Sequence, residues 1–436
     1  MPEQVAGTEI YTLSLAKELL NRDIKSIVLI PNFGRSINEE YEFEGIRVIK
    51  YAEPSVNDRE FQMGKKVPVG IENFLSILRT ENPSVVNFHS LSFGTGISLF
   101  HLIAAKEAGY KTVTTFHLPG YTCWTSHLMY KDETHCNGII KIGKCTKCVY
   151  SVKGIPAVAM VANKLNYDTT NWQTSIGTAL GFPFIIRKLK KGIFDIAANS
   201  DRVVVLAKWY KNVLELNGIE MGKVSLIAQG LPGMIPQIDP VDNTSGILKI
   251  VFIGRISPLK GLHLLIDALI LLPQNIISLD IFGSAGDQEY FESCLQKSAI
   301  LKNLFWKGSV KPAEVVTYIS QYDILCLPSL SEMAPIVIQE AFAAGVPVLA
   351  SDIYANKEQV THNGNGWLFS FNNSTDLTLK LQMLIDEPEK IVTARKNIPG
   401  VKLFTKVAEE YEVLYEKIIK ENVPSLIGPG NLTINN

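Results

Sequence analysis

Short apolar runs of strand length alternate with amphipathic helical patterns along almost the whole chain, and this alternation limits the fold to α/β layering on mostly parallel sheets. Residues 8–21 read as a helix with Leu13, Ala16, Leu19 and Leu20 on one face. Residues 27–31, 85–88 and 112–116 read as buried strands, and 97–108 as a helix closed by Gly109. A strand at 202–206 and a helix stopping at Gly218 follow. A stretch rich in Pro, Gly and Asp at 231–246 then reads as a linker, after which the pattern restarts. Strands are expected at 248–253, 278–282, 324–327 and 346–350, helices at 261–271 and 406–421, and a loose tail beyond. A chain of 436 residues exceeds one ordinary core, so two α/β domains with a ligand cleft between them are expected, over 1–235 and 245–405.

Composition narrows the function classes. A net charge of -1, with no basic groove rich in aromatics, argues against nucleic acid as a partner. No apolar run is long enough to span a bilayer, and Met1, Pro2, Glu3 and Gln4 do not read as a secretory leader. The expected location is cytoplasmic, so the sequon at Asn431 reads as chance.

The richest segment is 329–350, SLSEMAPIVIQEAFAAGVPVLA, which sets Glu332 and Glu340 around a turn and a helix start at Pro335. Free amides over Met333, Ala334, Pro335 and Ile336, proline itself lacking an N–H, suit phosphate or a sugar hydroxyl. Glu340 suits a ribose diol. Arg255 and Lys260, in IGRISPLKG, supply cations for a departing diphosphate. The chain has no Asp-x-Asp, so the usual metal-holding pair is missing and cations plus helix dipole are the expected substitute. Read singly, these are two surface acids and two loop cations; their company gives them meaning.

FIGRISPLKGLHLLIDAL, DIFGSAGD, KGSV, LPSLSEMAPIVIQEAFAAGVPVLASD and NGNGWLF together resemble the retaining nucleotide-sugar glycosyltransferases of family 4, the group 1 glycosyl transferases of GT-B fold. The resemblance implies two Rossmann-like domains facing a cleft, a last helix (406–421) packing back on the first domain, and retention at the anomeric carbon. It assigns the diphosphate to Arg255 and Lys260, the donor sugar to Glu332, the ribose to Glu340 and the base to main chain near Val310. Met333 and Ala334 stand where the family often has Gly-Phe. The implied partners are a UDP- or GDP-sugar and a glycan or lipid-linked acceptor, in cell-surface polysaccharide or glycolipid synthesis.

In the first domain Gly7 opens a helix, where phosphate could approach the amides, and it matches a glycine of the family's donor-closing turn. His117 ends a strand and matches the family histidine near the reacting centre; His89 is a weaker candidate of the same kind, and a loop-bonded histidine is the plain alternative. Only six residues precede Gly7, so the first strand of this domain is expected to be missing from the chain as given, and activity to depend on it.

Cys123, Cys136, Cys145 and Cys148 cluster in an insertion at about 118–155 and suit a structural zinc, against reduced loop cysteines or a disulfide. No cofactor is expected for catalysis. GFPFII followed by RKLKKG (residues 181–192) offers an apolar patch beside lysines for peripheral contact with the inner face of a membrane, against an interior segment with a solvated turn. The rival functions are a GT-B sugar-nucleotide epimerase, an inactive sugar-nucleotide-binding protein and a glycan-chain synthase.

Overall fold

The computed structural model describes residues 7–54, 59–62, 64–92, 96–155, 168–169, 174–233, 235 and 246–421. Most of the expected linker, the tail and Asn431 lie outside these residues.

In the N-terminal half, β1 (Ile27–Phe33), β2 (Glu39–Phe43) and β3 (Ile46–Glu53) form a sheet in the order β1-β3-β2. β1 runs parallel to β3 and β2 antiparallel. The β2–β3 hairpin is not among the strands expected from sequence. Its turn uses Glu44 and Gly45 at φ 49° and 82°, and β2 is an acidic, largely exposed edge with no apolar run to announce it. A second sheet holds β4 (Val85–His89) and β5 (Lys111–Phe116). The insertion after β5 contributes the small hairpin β6 (Met129–Tyr130) and β7 (Thr134–His135). β8 (Arg202–Val205) and β9 (Val224–Leu226) then complete the second sheet in the parallel order β4-β5-β8-β9. Among the described residues no strand joins β1 to β4, so this half carries two sheets where an open α/β domain has one.

The C-terminal half is continuous. β10 (Leu248–Ile253), β11 (Ile277–Phe282), β12 (Leu304–Gly308), β13 (Ile324–Leu327), β14 (Val348–Ser351) and β15 (Gly366–Phe369) pair in the order β12-β11-β10-β13-β14-β15. All five pairings are parallel. Parallel strands need helical crossovers, and these cover both faces: one core gathers Ile250, Phe252, Leu265 and Leu381, the other Val251, Leu325, Ile338 and Phe342.

Two helices settle questions the sequence raised. The helix Ser175–Asn199 runs through Pro183 and is capped by Thr174, whose hydroxyl accepts from Gly177 N at 3.0 Å. It absorbs the whole apolar-then-lysine stretch. Phe182, Ile185 and Ile186 are buried in the N-terminal core, and Lys188 donates to Gly64 O at 2.7 Å. Of the two readings of this stretch the interior segment holds, because its apolar side chains face the core rather than solvent. No helix of the described residues is long and apolar enough to cross a membrane. The last helix, Phe404–Lys420, packs on the N-terminal half: Phe404, Val407, Tyr411 and Leu414 share one core with Tyr11, Leu15, Val113 and Val204.

Candidate active site

Strand order in the C-terminal sheet reverses between β10 and β13, and in open α/β sheets a crevice lies beyond the carboxyl ends of such neighbours. Both motif segments fall there. Arg255 and Lys260 lie in the loop leaving β10, and Glu332 lies in the loop leaving β13. Leu330 N donates to Leu259 O at 2.7 Å, tying the two loops together. Across them Lys260 Nζ donates to Glu332 Oε1 at 2.5 Å, with the glutamate side chain only 10% exposed. A short charge pair at low exposure holds both groups in one geometry.

Glycines make this close approach sterically allowed. Gly261 sits at φ 67°, and a Cβ there would stand 2.0 Å from Pro328 O, so the loop from β10 passes directly over the loop from β13. A Cβ on Gly286 would meet Arg255 Cδ at 2.3 Å; the glycine makes room for the stem of an arginine whose head is exposed.

Pro335 is the N-cap of the helix Ile336–Ala343, one position earlier than first-turn proline, and no side chain caps the open amides behind it. Glu340 is in that helix's second turn, and burial lifts its carboxyl to about 7. At neutral pH it is divided between acid and carboxylate, able to donate to or accept from a hydroxyl. Val310 follows β12 and packs half-buried against the core containing Val251 and Phe282.

Met333 and Ala334 have a second role that the sequence did not announce. The Met333 side chain is buried in the N-terminal core beside Tyr210 and Val213, and Ala334 packs on the core around Tyr11 and Tyr411. Trp209 Nε1 donates to Met333 O at 2.8 Å. The carboxylate of Glu358 accepts from Lys208 N and Trp209 N at 2.7 and 2.8 Å, capping the helix Lys208–Leu216 from the other half of the molecule. Ser331 Oγ donates to His127 O at 2.8 Å. These ties join residues far apart in the chain, and no local pattern marks them.

On the N-terminal side His89 ends β4 and His117 follows β5, at the carboxyl ends of paired strands. His89 Nδ1 and His117 Nε2 share a hydrogen bond of 2.9 Å, and His117 lies edge-on to Tyr11 at 4.8 Å between ring centroids. Burial holds His89 down at about 4; burial and then the charge of His89 hold His117 well below its ordinary value. Both imidazoles are therefore neutral at pH 7, one donating and one accepting. Gly7 opens the helix Gly7–Leu20 at the surface, where an added Cβ would meet nothing within 4 Å. No hydrogen bond or ion pair links Gly7 or His117 to Lys260 or Glu332 among the described residues. Glu9, also in the first turn of that helix, keeps a buried oxygen without a partner.

Cys123, Cys136, Cys145 and Cys148 are all unpaired thiols lining one cavity of ≈ 30 Å³. As placed, no three His, Cys, Asp or Glu side chains among the described residues form a ready cage for an ion.

Two family models match the chain: Glycosyltransferase Family 4 over residues 5–147 and Glycosyl transferases group 1 over residues 239–399. Among curated relatives, the amylovoran biosynthesis glycosyltransferase AmsK of Erwinia amylovora is 23% identical over 192 residues, 42% of this chain and 47% of that protein. The O-antigen biosynthesis glycosyltransferase WbnH of Escherichia coli is 29% identical over 209 residues, 48% of this chain and 56% of that protein. The chain thus spans about half the length of these relatives. Among solved structures, a sucrose-phosphate synthase of Thermosynechococcus elongatus superposes with TM-score 0.67 at 16% identity, covering 96% of this chain and 95% of that one. Anabaena HepE, solved with UDP and glucose, superposes with TM-score 0.58 at 17% identity and 97% coverage of both chains. Each model covers about a third of the chain, and together with the solved structures they indicate a glycosyltransferase of GT-B fold.

Proposed function

We propose that this protein transfers a sugar from a nucleoside-diphosphate sugar to a glycan or lipid-linked acceptor, in the synthesis of a surface polysaccharide or glycolipid at the cytoplasmic face of the membrane. The observation that carries the reading is the Lys260–Glu332 pair in the crevice between β10 and β13, beside the open amides of the helix Ile336–Ala343. The relatives' names point the same way, and a neighbour of the same fold was solved with UDP and glucose.

In this reading Arg255 and Lys260 take the diphosphate, with the amides near Met333 and Ile336 alongside. Glu332, released from Lys260, accepts from the donor sugar, and Glu340 meets the ribose. Stabilising a departing diphosphate by fixed cations and a helix N-terminus needs no catalytic metal, in keeping with the missing Asp-x-Asp. His117, neutral and steadied by His89, serves as a hydrogen-bonding group near the reacting carbon rather than as a cation. Transfer proceeds with retention.

The test is a panel of UDP-, GDP- and ADP-sugars scored by thermal shift, since a ligand of the native state must raise stability. Incubation with acceptor follows, reading nucleoside diphosphate release and the anomer formed. Release that needs acceptor and survives chelation supports the reading; isomerised sugar nucleotide without release, or no shift with any donor, sinks it.

A further inference from the structure

The four cysteines of the insertion belong to no step of the proposed transfer. They come from three separate pieces of chain: Cys123 from the loop after β5, Cys136 from the end of the β6–β7 hairpin, and Cys145 with Cys148 from the helix Ile142–Val152. Cys-x2-Cys places the last two about a helical turn apart, on one side of the helix. All four nonetheless line the same small cavity, walled by Leu128, Val149 and Ile186. Four thiols drawn from three segments to one cavity make a ligand set of the kind and number a tetrahedral ion takes.

Two of the four sulfurs already face N–H donors. Lys131 N donates to Cys148 Sγ at 3.0 Å, and Lys144 Nζ stands 3.6 Å from Cys136 Sγ. Four thiolates in one pocket repel one another unless a cation sits among them. The sulfurs now turn to local partners: Cys148 Sγ donates to Met129 O at 3.5 Å, and Cys123 Sγ shares a contact of 3.2 Å with Thr125 Oγ1. Each is one χ1 step from another staggered position. As placed the four sulfurs do not form a cage, so binding of an ion is coupled to their ordering.

We propose that Cys123, Cys136, Cys145 and Cys148 bind one zinc ion as a closed tetrathiolate, releasing the thiol protons to solvent as the four Zn–S bonds form. Four protein sulfurs leave no open position, so the ion is structural. It fixes the segment whose main chain at His127 accepts from Ser331, immediately ahead of Glu332, and whose His135 packs against Phe371 at 4.1 Å. The site thereby holds the insertion against the donor half. The proposal stands independently of the transfer reading, since its readouts are metal and thiols.

The decisive experiment is metal analysis of the purified full chain, as isolated and again after anaerobic reduction, zinc loading and desalting. About one equivalent of zinc per chain is expected, with about four thiols blocked from alkylation until a chelator is added. Replacing zinc by Co(II) should give the absorption of tetrahedral sulfur ligation. Cys145→Ser with Cys148→Ser should drop zinc below about 0.2 equivalents while far-UV circular dichroism keeps its α/β shape. Should the double variant fail to fold, the wild-type metal and alkylation counts decide alone. Zinc below about 0.1 equivalents after loading overturns the proposal, as do loss of free thiols without metal (a disulfide) and the visible absorption of an iron–sulfur cluster.

Discussion

The two halves of this molecule use the same α/β grammar and differ in how much of the site each completes locally. In the C-terminal half one continuous parallel sheet sets β10 beside β13, and the two loops leaving them meet within hydrogen-bonding range. Apart from Gly7, every group assigned to the donor comes from within that half. In the N-terminal half the strands fall into two sheets, and its candidate groups are held by distant partners. His117 leans on His89 and Tyr11, and Tyr11 is bonded to Tyr411 near the chain's end. A site assembled from one sheet's crevice is robust to its surroundings; one assembled from the ends of the chain is not.

The sharpest way to break this contrast is at Lys260. Lys260→Ala should lower kcat/KM for the donor by about 100-fold, the size expected when one fixed charge-stabilising group is removed. The melting temperature should fall as well, because Glu332, only 10% exposed, is left without its counter-charge. An effect confined to stability would mean that the pair is merely a loop brace.

Glu340 gives a pH-resolved test of the same half. Its folded-state value, about 7, lies above the ordinary 4.5, so the folded chain binds this proton more tightly than the unfolded chain does. The resulting cost is absent below about pH 4.5 and grows as pH rises to about 7. Glu340→Gln should therefore stabilise the protein at pH 8, by at most about 3 kcal/mol, and leave it unchanged near pH 4.5. Denaturant unfolding at the two pH values measures this; equal stability at both would show the carboxyl to be well solvated.

Tyr411→Phe probes the N-terminal half's dependence on the last helix. The hydroxyl is within 3.3 Å of Tyr11 and 2.9 Å of Thr115, both buried. Its loss should cost about 1–2 kcal/mol, because Thr115 and Tyr11 lose a buried partner. Amide exchange should rise in the helix Gly7–Leu20 and stay unchanged around β10 to β13. Uniform loss of protection would mean that the halves open together. The smallest effect should come from Glu358→Gln, which weakens a cap across the two halves by about 0.5–1 kcal/mol; it should ease separation of the halves, seen as faster limited proteolysis between them.

Legibility followed the same division. The strands at 248–253 and 324–327 lie where their apolar runs placed them, and the glycine, cation and acid spacing marked the crevice residues, because each signal is local. Expectation failed where tertiary context overrode pattern. The acidic edge β2 went unread, having no apolar run to mark it. The stretch 181–192 allowed both a surface patch and an interior segment, and only the helix through Pro183 decides for the interior. Met333 and Ala334 read as parts of a donor loop, yet their side chains close the opposite half. Glu358, one turn past a strand-like segment, carries no signal that it would cap a helix 149 residues away.

The contact between Tyr11 and Tyr411 spans 400 residues, and that span sets a schedule. At roughly 5–20 residues per second of synthesis, the apolar stripe of the first helix waits about 20–80 s for its covering partner. For that interval Tyr11, Leu15 and Leu19 lack the side chains of the last helix that later bury them. The first part of the chain to emerge is therefore among the last to become fully native, while the later-made C-terminal sheet closes on contacts of much shorter range. Folding yield, more than final stability, should be the property most sensitive to changes in the last helix, and chaperone dependence the trait that exposes it.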